Sequence, residues 1–406
     1  MFKYDRDKLE IGFLHFGLGG FHRAHQAVFI EDAISKGNLG LGIASISQRD
    51  PSLADEMNLA DSIYEVEESD GNTSEIKTIG SIKESLFYPR DENRILEIAK
   101  SPNLKAITLT VTEKAYKPGS DFSVRLAKVL KARYEADGSS IAIISCDNLP
   151  SNGNFVRELM KNQINDPLLW NWVEENVRFP NCMVDRIVPA PNKANRLLIK
   201  TEKFNQWIIE NDPISNYLAG SGVQFVADVK PYELAKIRLF NGVHSFLAYY
   251  GQIHGIEYIA DVISNPEIKE YVMQMQEEEI IKTLKLNIDL KSYASEIRSR
   301  MANESLHHKT LQIAMDGSQK LPQRMIGTLN DLAELKIPAP KMLNALATWI
   351  KYLQVSESIN DPLAAELKSL ALAEKYSELF SLLSTPLNPI YSELLSNNPI
   401  TFADEK

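Results

Sequence analysis

The stretch LEIGFLHFGLGGFHRAHQ, residues 9–26, decides how the first half of the chain folds. Its opening, LEIGFLHF, is short and apolar and runs into glycine, the pattern of a buried strand. Gly17, Gly19 and Gly20 follow at once, and FHRAHQAVFIEDAISKG (21–37) takes up helical spacing until a glycine stops it. A strand that turns through glycines into a helix is how a dinucleotide-binding fold begins. The glycines permit a tight turn and let backbone N–H groups approach a pyrophosphate at the start of the helix. The third glycine of that fingerprint is missing, because position 22 is His22. A glycine-rich turn that holds no ligand is the plainer reading, and both readings stand on these residues alone.

Outward from this stretch, strand-like and helix-like segments alternate. LGLGIASIS (39–47) reads as a second strand and SIYEVEESDGNTSEIKTIGSI (62–82) as β-rich. A helix is expected near 91–100, then a β-branched buried strand, KAITLTVTEKAY (105–116). A helix over 121–137 and a strand, SIAIISCDN (140–148), continue the series. Such alternation predicts an α/β fold with a parallel, doubly wound sheet. From Pro231 onward the periodicity is helical, over 232–250, 266–285, 291–302, 341–354 and 362–383. The expected division is a Rossmann-type dinucleotide-binding domain over 1–230 and a mostly α-helical substrate and catalytic domain over 231–406. LKIPAPK (335–341) reads as a connection between helices.

Composition narrows the function. With 44 Lys+Arg against 54 Asp+Glu the formal charge is −10, which argues against general binding to nucleic-acid phosphates. The N-terminal MFKYDRDKLE has no apolar core of a signal peptide, and no run approaches the roughly 18 apolar residues of a spanning helix. The expectation is a cytoplasmic protein without nucleic-acid or membrane partners. Only Cys146 and Cys182 occur, without CxxC spacing, so neither a disulfide scaffold nor a thiolate metal site is expected. His22 and His25 have the i, i+3 spacing of a metal pair but lie beside the phosphate turn, and no metal is assigned to them.

The second strand ends in SQRDP. Asp50 there is placed to bind the adenosine ribose hydroxyls, or equally to cap a helix at 51–60. Arg49 beside it would favour a 2′-phosphate, so NAD is the expected cofactor with NADP open. A second puzzle is KIRLFNGVH (236–244), set within the apolar run DVKPYELAKIRLFNGVHSFLAYYG (228–251). Lys236, Asn241 and His244 each cost free energy if buried alone. On an ideal α-helix they lie at roughly 0°, 140° and 80°, so all three can face one side.

Together with SCDNLPSNG (145–153) and FPNCMVDRIVP (179–189), GLGGFHRAHQA and KIRLFNGVH resemble the polyol-specific long-chain dehydrogenases. That family includes mannitol 2-dehydrogenase and fructuronate reductase, also called D-mannonate oxidoreductase. The likeness runs in order from residue 11 to about 325. It implies an NAD(P)-dependent, metal-independent dehydrogenase of CH–OH groups, with a Rossmann-type domain followed by a helical one. It assigns Lys236 as the general base, Asn148 and Asn241 as donors to the developing alkoxide, and His244 as a group that binds and orients substrate. Desolvation beside a cationic nicotinamide would bring the lysine toward the range a base needs. Glu233, one turn before Lys236, is assigned to proton delivery, with a surface ion pair as the alternative. Asp185 is assigned to the vicinity of nicotinamide and lysine, with pairing to Arg186 as the alternative. Gly17, Gly19, Gly20, Phe21, Asp50 and Asp185 make up the expected cofactor set.

The substrate is read from HHKTLQIAMDGSQKLPQR (307–324), which resembles the fructuronate reductase branch. Mannitol dehydrogenases tend toward SSKFPKF there, with arginine where Gln312 stands. Lys320 matches a substrate-contacting lysine of the family, and Arg324 with Lys320 suits a uronate carboxylate. Solvation of an exposed segment is the alternative. The chain is shorter than typical fructuronate reductases between Tyr116 and Ser140 and at its C-terminus. Reduction of D-fructuronate is the expected reaction, with oxidation of mannitol or another polyol as the alternative and a catalytically silent sugar-binding protein behind both. The partners expected are a small sugar acid or polyol, in a monomer or small homo-oligomer.

Overall fold

β-Branched and large aliphatic side chains dominate IGFLHF (11–16), AITL (106–109) and IAIIS (141–145), the pattern of parallel strands covered on both faces. The computed structural model describes residues 2–112, 115–190, 192 and 194–397, in two compact units, Met1–Lys230 and Pro231–Lys406. Among the described residues the first unit has twelve strands: β1 (Ile11–Phe16), β2 (Gly42–Ser47), β3 (Tyr64–Ser69), β4 (Ser74–Ile79), β5 (Ile82–Phe87) and β6 (Ala106–Leu109), then β7 (Ile141–Ser145), β8 (Val177–Arg178), β9 (Cys182–Asp185), β10 (Leu198–Glu202), β11 (Gln206–Glu210) and β12 (Gln224–Val226).

The main sheet runs β5-β2-β1-β6-β7-β8, and every neighbouring pair in it is parallel. In the sheet's own sequence order that is 3-2-1-4-5-6, the doubly wound arrangement. Alternate residues feed two separate cores. Phe13, Ile43, Ala106, Ala142 and Ile144 pack on one side. Leu14, Phe16, Ala44, Ile46, Ile107, Leu109, Ile141 and Ile143 pack on the other. Each fully buried Leu, Ile or Phe there contributes about 1.5–3 kcal/mol of transfer free energy, so both faces hold the sheet firmly. The expected α/β class with a doubly wound sheet is what the first unit adopts.

Local boundaries differ from the expectation for identifiable reasons. The helix read over 21–37 is two, Gly20–Ala24 and Gln26–Ser35, broken at His25, whose φ of −123° and ψ of −87° are not helical. The strand read over 39–47 starts only at Gly42, after a 3-10 turn. KAITLTVTEKAY pairs only over Ala106–Leu109, because Thr112 turns into the left-handed region at φ 70°; Glu113 and Lys114 lie outside the described residues. FNQWIIEND and GVQFVADVK supply β11 and β12, which with β9 form a three-stranded sheet. A third sheet, β10-β3-β4, contains the β3–β4 hairpin.

In the second unit every regular element among the described residues is helical; residues 398–406 lie outside them. The stretch read as one helix over 232–250 is three consecutive segments: Lys230–Ala235 is α-helical, Lys236–Gly242 is π-helical, and Val243–Ile253 is α-helical again. Pro340–Val355, with Trp349 almost wholly buried, packs near Val243–Ile253 through the rings of Tyr249 and Tyr352, 5.1 Å apart. Gly317 sits where these helices meet. A Cβ at that position would lie 2.9 Å from both Trp349 Nε1 and Tyr249 Oη, so the close approach requires glycine.

Candidate active site

In a doubly wound sheet the chain leaves β1 and β6 toward opposite faces, opening a crevice at their C-terminal ends. A cleft of about 620 Å³ lies there in the first unit, lined by the turn after β1, the residues after β2 and Thr110–Thr112 after β6. Gly17 adopts φ +123°, and a Cβ on it would stand 2.2 Å from the Thr110 carbonyl oxygen, so no other residue fits. Its carbonyl accepts from His15 Nε2 at 3.0 Å and from the Thr110 hydroxyl at 3.1 Å, which ties β1 to β6. Gly19 differs. Its φ of −97° suits any residue, and the nearest atom a Cβ there would meet is the Gly17 carbonyl oxygen, at 4.0 Å. The missing side chain leaves open space against the first backbone amides of the helix. That cradle, with the cleft's size, suits a dinucleotide pyrophosphate.

Of the residues expected to bind a cofactor, Gly17, Gly19 and Asp50 line the cleft. Gly20 is the first helical residue beyond it, and Phe21 packs against the core with its ring stacked on His25, centroids 4.9 Å apart. Asp50 is the N-cap of Pro51–Leu59: its Oδ1 accepts the Ser52 N–H at 2.9 Å and hydroxyl at 2.6 Å. Its carboxyl is held below the usual range, chiefly by Ser52 and then by Arg196. Asp185 is buried on β9, in register with Gln206. Arg186 beside it pairs with Glu68 at 2.5 Å and donates to the Glu202 carbonyl.

The histidines of the turn are structural. His22 occupies the third fingerprint position and lies flat on His15, ring centroids 3.4 Å apart and 8° from parallel. Burial holds His15 at a pKa of about 3 and His22 well below its ordinary value, so the stack is of neutral rings. His25 Nε2 donates to the Gln206 carbonyl at 2.8 Å, which leaves Nδ1 to accept from Gln26 at 2.9 Å. Among the described residues no three His, Cys, Asp or Glu side chains are grouped to hold a metal ion.

Asn148 is exposed in the loop after β7. Its neighbour Asp147, which the sequence did not single out, organises that end of the sheet. One carboxylate oxygen accepts from Val111 N at 2.9 Å and Tyr116 Oη at 2.6 Å, the other from Thr112 N at 3.0 Å. The clamp explains how a β-branched residue is kept at positive φ on the cleft wall, where such strain costs on the order of 1–3 kcal/mol.

In the second unit Lys236 is 6 % exposed and heads the π-helical stretch, with Glu233 half-buried one turn before it. Its i→i+5 ladder replaces the 100° α-helical wheel, so the angles expected for Lys236, Asn241 and His244 do not hold across it. Single-turn π segments concentrate at functional sites. Here the widening accompanies a tight crossing, since a Cβ on Gly242 would lie 2.7 Å from the Arg324 carbonyl oxygen. Arg324 donates to Ser245 Oγ at 3.0 Å and reaches the Asn241 carbonyl at 3.5 Å. Lys320 donates to the Met315 carbonyl at 2.6 Å. His244 is buried edge-on to Phe240 and His308. Burial first, then the charges of His308, Arg324, Lys320 and Arg300, push its pKa well down, so the ring is neutral at neutral pH. The unit thus groups Asn241, His244, Arg324 and Lys320, and adds His308, which lies in the 307–324 stretch but was given no role there, and Arg300, which no motif flagged. Gln312 is exposed on the helix Thr310–Ala314.

Residues 11–219 match the mannitol dehydrogenase Rossmann domain, and residues 228–401 match the mannitol dehydrogenase C-terminal domain. The chain belongs to the mannitol dehydrogenase family. Its relatives include the D-mannonate oxidoreductase of Escherichia coli K12, 34% identical, with 90% of this chain and 86% of the relative covered. The polyol:NADP oxidoreductase of Gluconobacter oxydans 621H is 29% identical, covering 86% of this chain and 82% of that one. Among solved structures, Pseudomonas fluorescens mannitol 2-dehydrogenase, in ternary complex with NAD and D-mannitol, superposes with a TM-score of 0.84 at 26% identity. That match covers 98% of this chain and 92% of the other. As a member of this family the chain is an oxidoreductase, a dehydrogenase of CH–OH groups. No helix among the described residues is long and apolar enough to cross a membrane.

Proposed function

We propose that this dehydrogenase is an NAD-linked, metal-independent D-fructuronate reductase of the cytoplasm, forming D-mannonate. The cluster of Arg324 and Lys320 about the neutral His244 carries the choice of a sugar acid over an uncharged sugar. An anionic substrate gains from cations there, and a guanidinium can take a carboxylate in two hydrogen bonds. The whole-length likeness to a D-mannonate oxidoreductase supports the same reading.

The residues Gly17, Gly19 and Asp50 would hold the dinucleotide, which supplies the hydride when bound. Lys236, kept out of bulk water, is the proton donor in reduction and the base in oxidation. Asn148 and Asn241 donate amide hydrogens to the alkoxide; a single such donor in other enzymes is worth about 3 kcal/mol. His244, being neutral, orients a substrate hydroxyl without adding charge. Glu233 relays protons to Lys236, and Asp185 supports the nicotinamide end. Fructuronate, tagaturonate, fructose and xylulose, each offered with NADH and NADPH, test the reading. Consumption of the neutral ketoses with neither uronate accepted would overturn it. That outcome would favour a polyol dehydrogenase, for which the superposition on a mannitol-bound relative speaks.

A further inference from the structure

Beyond β2 the rim of the first unit's cleft carries charges that differ from those of a lone acidic ribose site. Asp50 turns one carboxylate oxygen to Ser52, while the other faces Arg196 Nη1 at 3.4 Å. The same nitrogen donates to Ser52 Oγ at 3.1 Å. Glu56 accepts from Arg196 Nε at 2.7 Å. Buried Arg23 donates to the Arg196 carbonyl at 2.6 Å, fixing the backbone that presents this guanidinium. Arg49, next in sequence to Asp50, also lines the cleft.

A lone carboxylate at the end of the second strand accepts the ribose 2′-hydroxyl and repels a 2′-phosphate. A carboxylate with a guanidinium against its free oxygen repels less. We propose that Arg196 is a specificity-determining residue for the cofactor, offsetting the charge of Asp50 so that the cleft admits NADP(H) beside NAD(H). Glu56 opposes this by drawing on the same guanidinium, and Arg49 adds a second cation. The inference rests on the cleft being the dinucleotide site.

Dissociation constants of NADH and NADPH, measured by fluorescence titration on the full chain, test it in three variants. Arg196→Gln is expected to raise the NADPH/NADH ratio of constants about fivefold, the order of the water-screened effect of one charge near a doubly charged group. Glu56→Gln, which releases the guanidinium toward Asp50, is expected to move the ratio the opposite way. Arg196→Lys keeps the charge and should keep the ratio. Opposite shifts in the two neutralising variants support the proposal. Parallel changes in both constants, or a ratio insensitive to both variants, overturn it. Failure of the wild-type chain to bind either dinucleotide would instead remove the cofactor reading on which it stands.

Discussion

Gly17 and Gly19 are two positions apart, yet alanine at each is expected to fail differently. At Gly17 the new Cβ would meet the Thr110 carbonyl oxygen at 2.2 Å, so the turn must withdraw from β6 by about 1 Å to reach ordinary contact. That movement strains the bonds that the Gly17 carbonyl accepts from His15 and Thr110. Two weakened hydrogen bonds at about 1 kcal/mol each, plus about 1–2 kcal/mol for alanine at positive φ, give a loss of roughly 3–4 kcal/mol. For a unit of this size that lowers the unfolding midpoint by roughly 5–15 °C. At Gly19 nothing resists the methyl group, and the backbone angles already suit alanine. Stability should stay within about 0.5 kcal/mol of wild type. The methyl instead fills the cradle, and NADH affinity should fall by at least about tenfold, which is 1.4 kcal/mol of lost binding. Differential scanning calorimetry and NADH fluorescence titration separate the two effects. Wild-type NADH affinity in a stably folded Gly19→Ala protein would refute the assignment of this turn to the pyrophosphate.

Lys236→Ala should lower turnover by about 10²–10⁴-fold while NADH still binds, and near-native turnover at every pH would remove the assigned acid–base group. Arg324→Ala should raise KM for a uronate far more than for a neutral ketose, and equal increases would reduce Arg324 to a packing role. The neutral histidines make stability fall with acid. In the unfolded chain they take up protons below about pH 6.5, whereas His15 is held near 3, His308 near 4, and His22 and His244 well below their ordinary value. Their stabilisation is therefore complete above about pH 6.5 and lost as pH falls toward the folded values, at up to about 1.4 kcal/mol per histidine per pH unit. Urea unfolding at pH 7.5, 6 and 5 checks the sign, and His15→Gln should flatten the decline; an unchanged slope in that variant would contradict it.

What could be read along the chain was whatever neighbouring residues determine together. LEIGFLHF followed by GLGG announces a strand, a turn and a helix, because apolar periodicity and glycine's backbone freedom act over a few positions. The alternation of such units predicts a doubly wound sheet, and that sheet is present. The family likeness came from four short motifs, each also local. Single-sequence reading misplaced what depends on partners far away. KAITLTVTEKAY reads as one long strand, yet after a last bond from Thr110 N to the Phe16 carbonyl the Val111 and Thr112 amides turn to Asp147 and the strand ends.

Tertiary structure alone decided the chemistry's surroundings. The π-helical widening at Lys236–Gly242 accompanies the close passage of Arg324, 82 residues beyond Gly242, and no helical wheel contains that contact. His22 lies flat on His15 because β1 and the turn bring the two imidazoles face to face. Asp50 met Arg196 across 146 positions of chain. Propensity and patterning specify which elements form, since those terms are summed over adjacent residues. The charge, burial and strain at a reacting group are set by side chains that only folding makes neighbours.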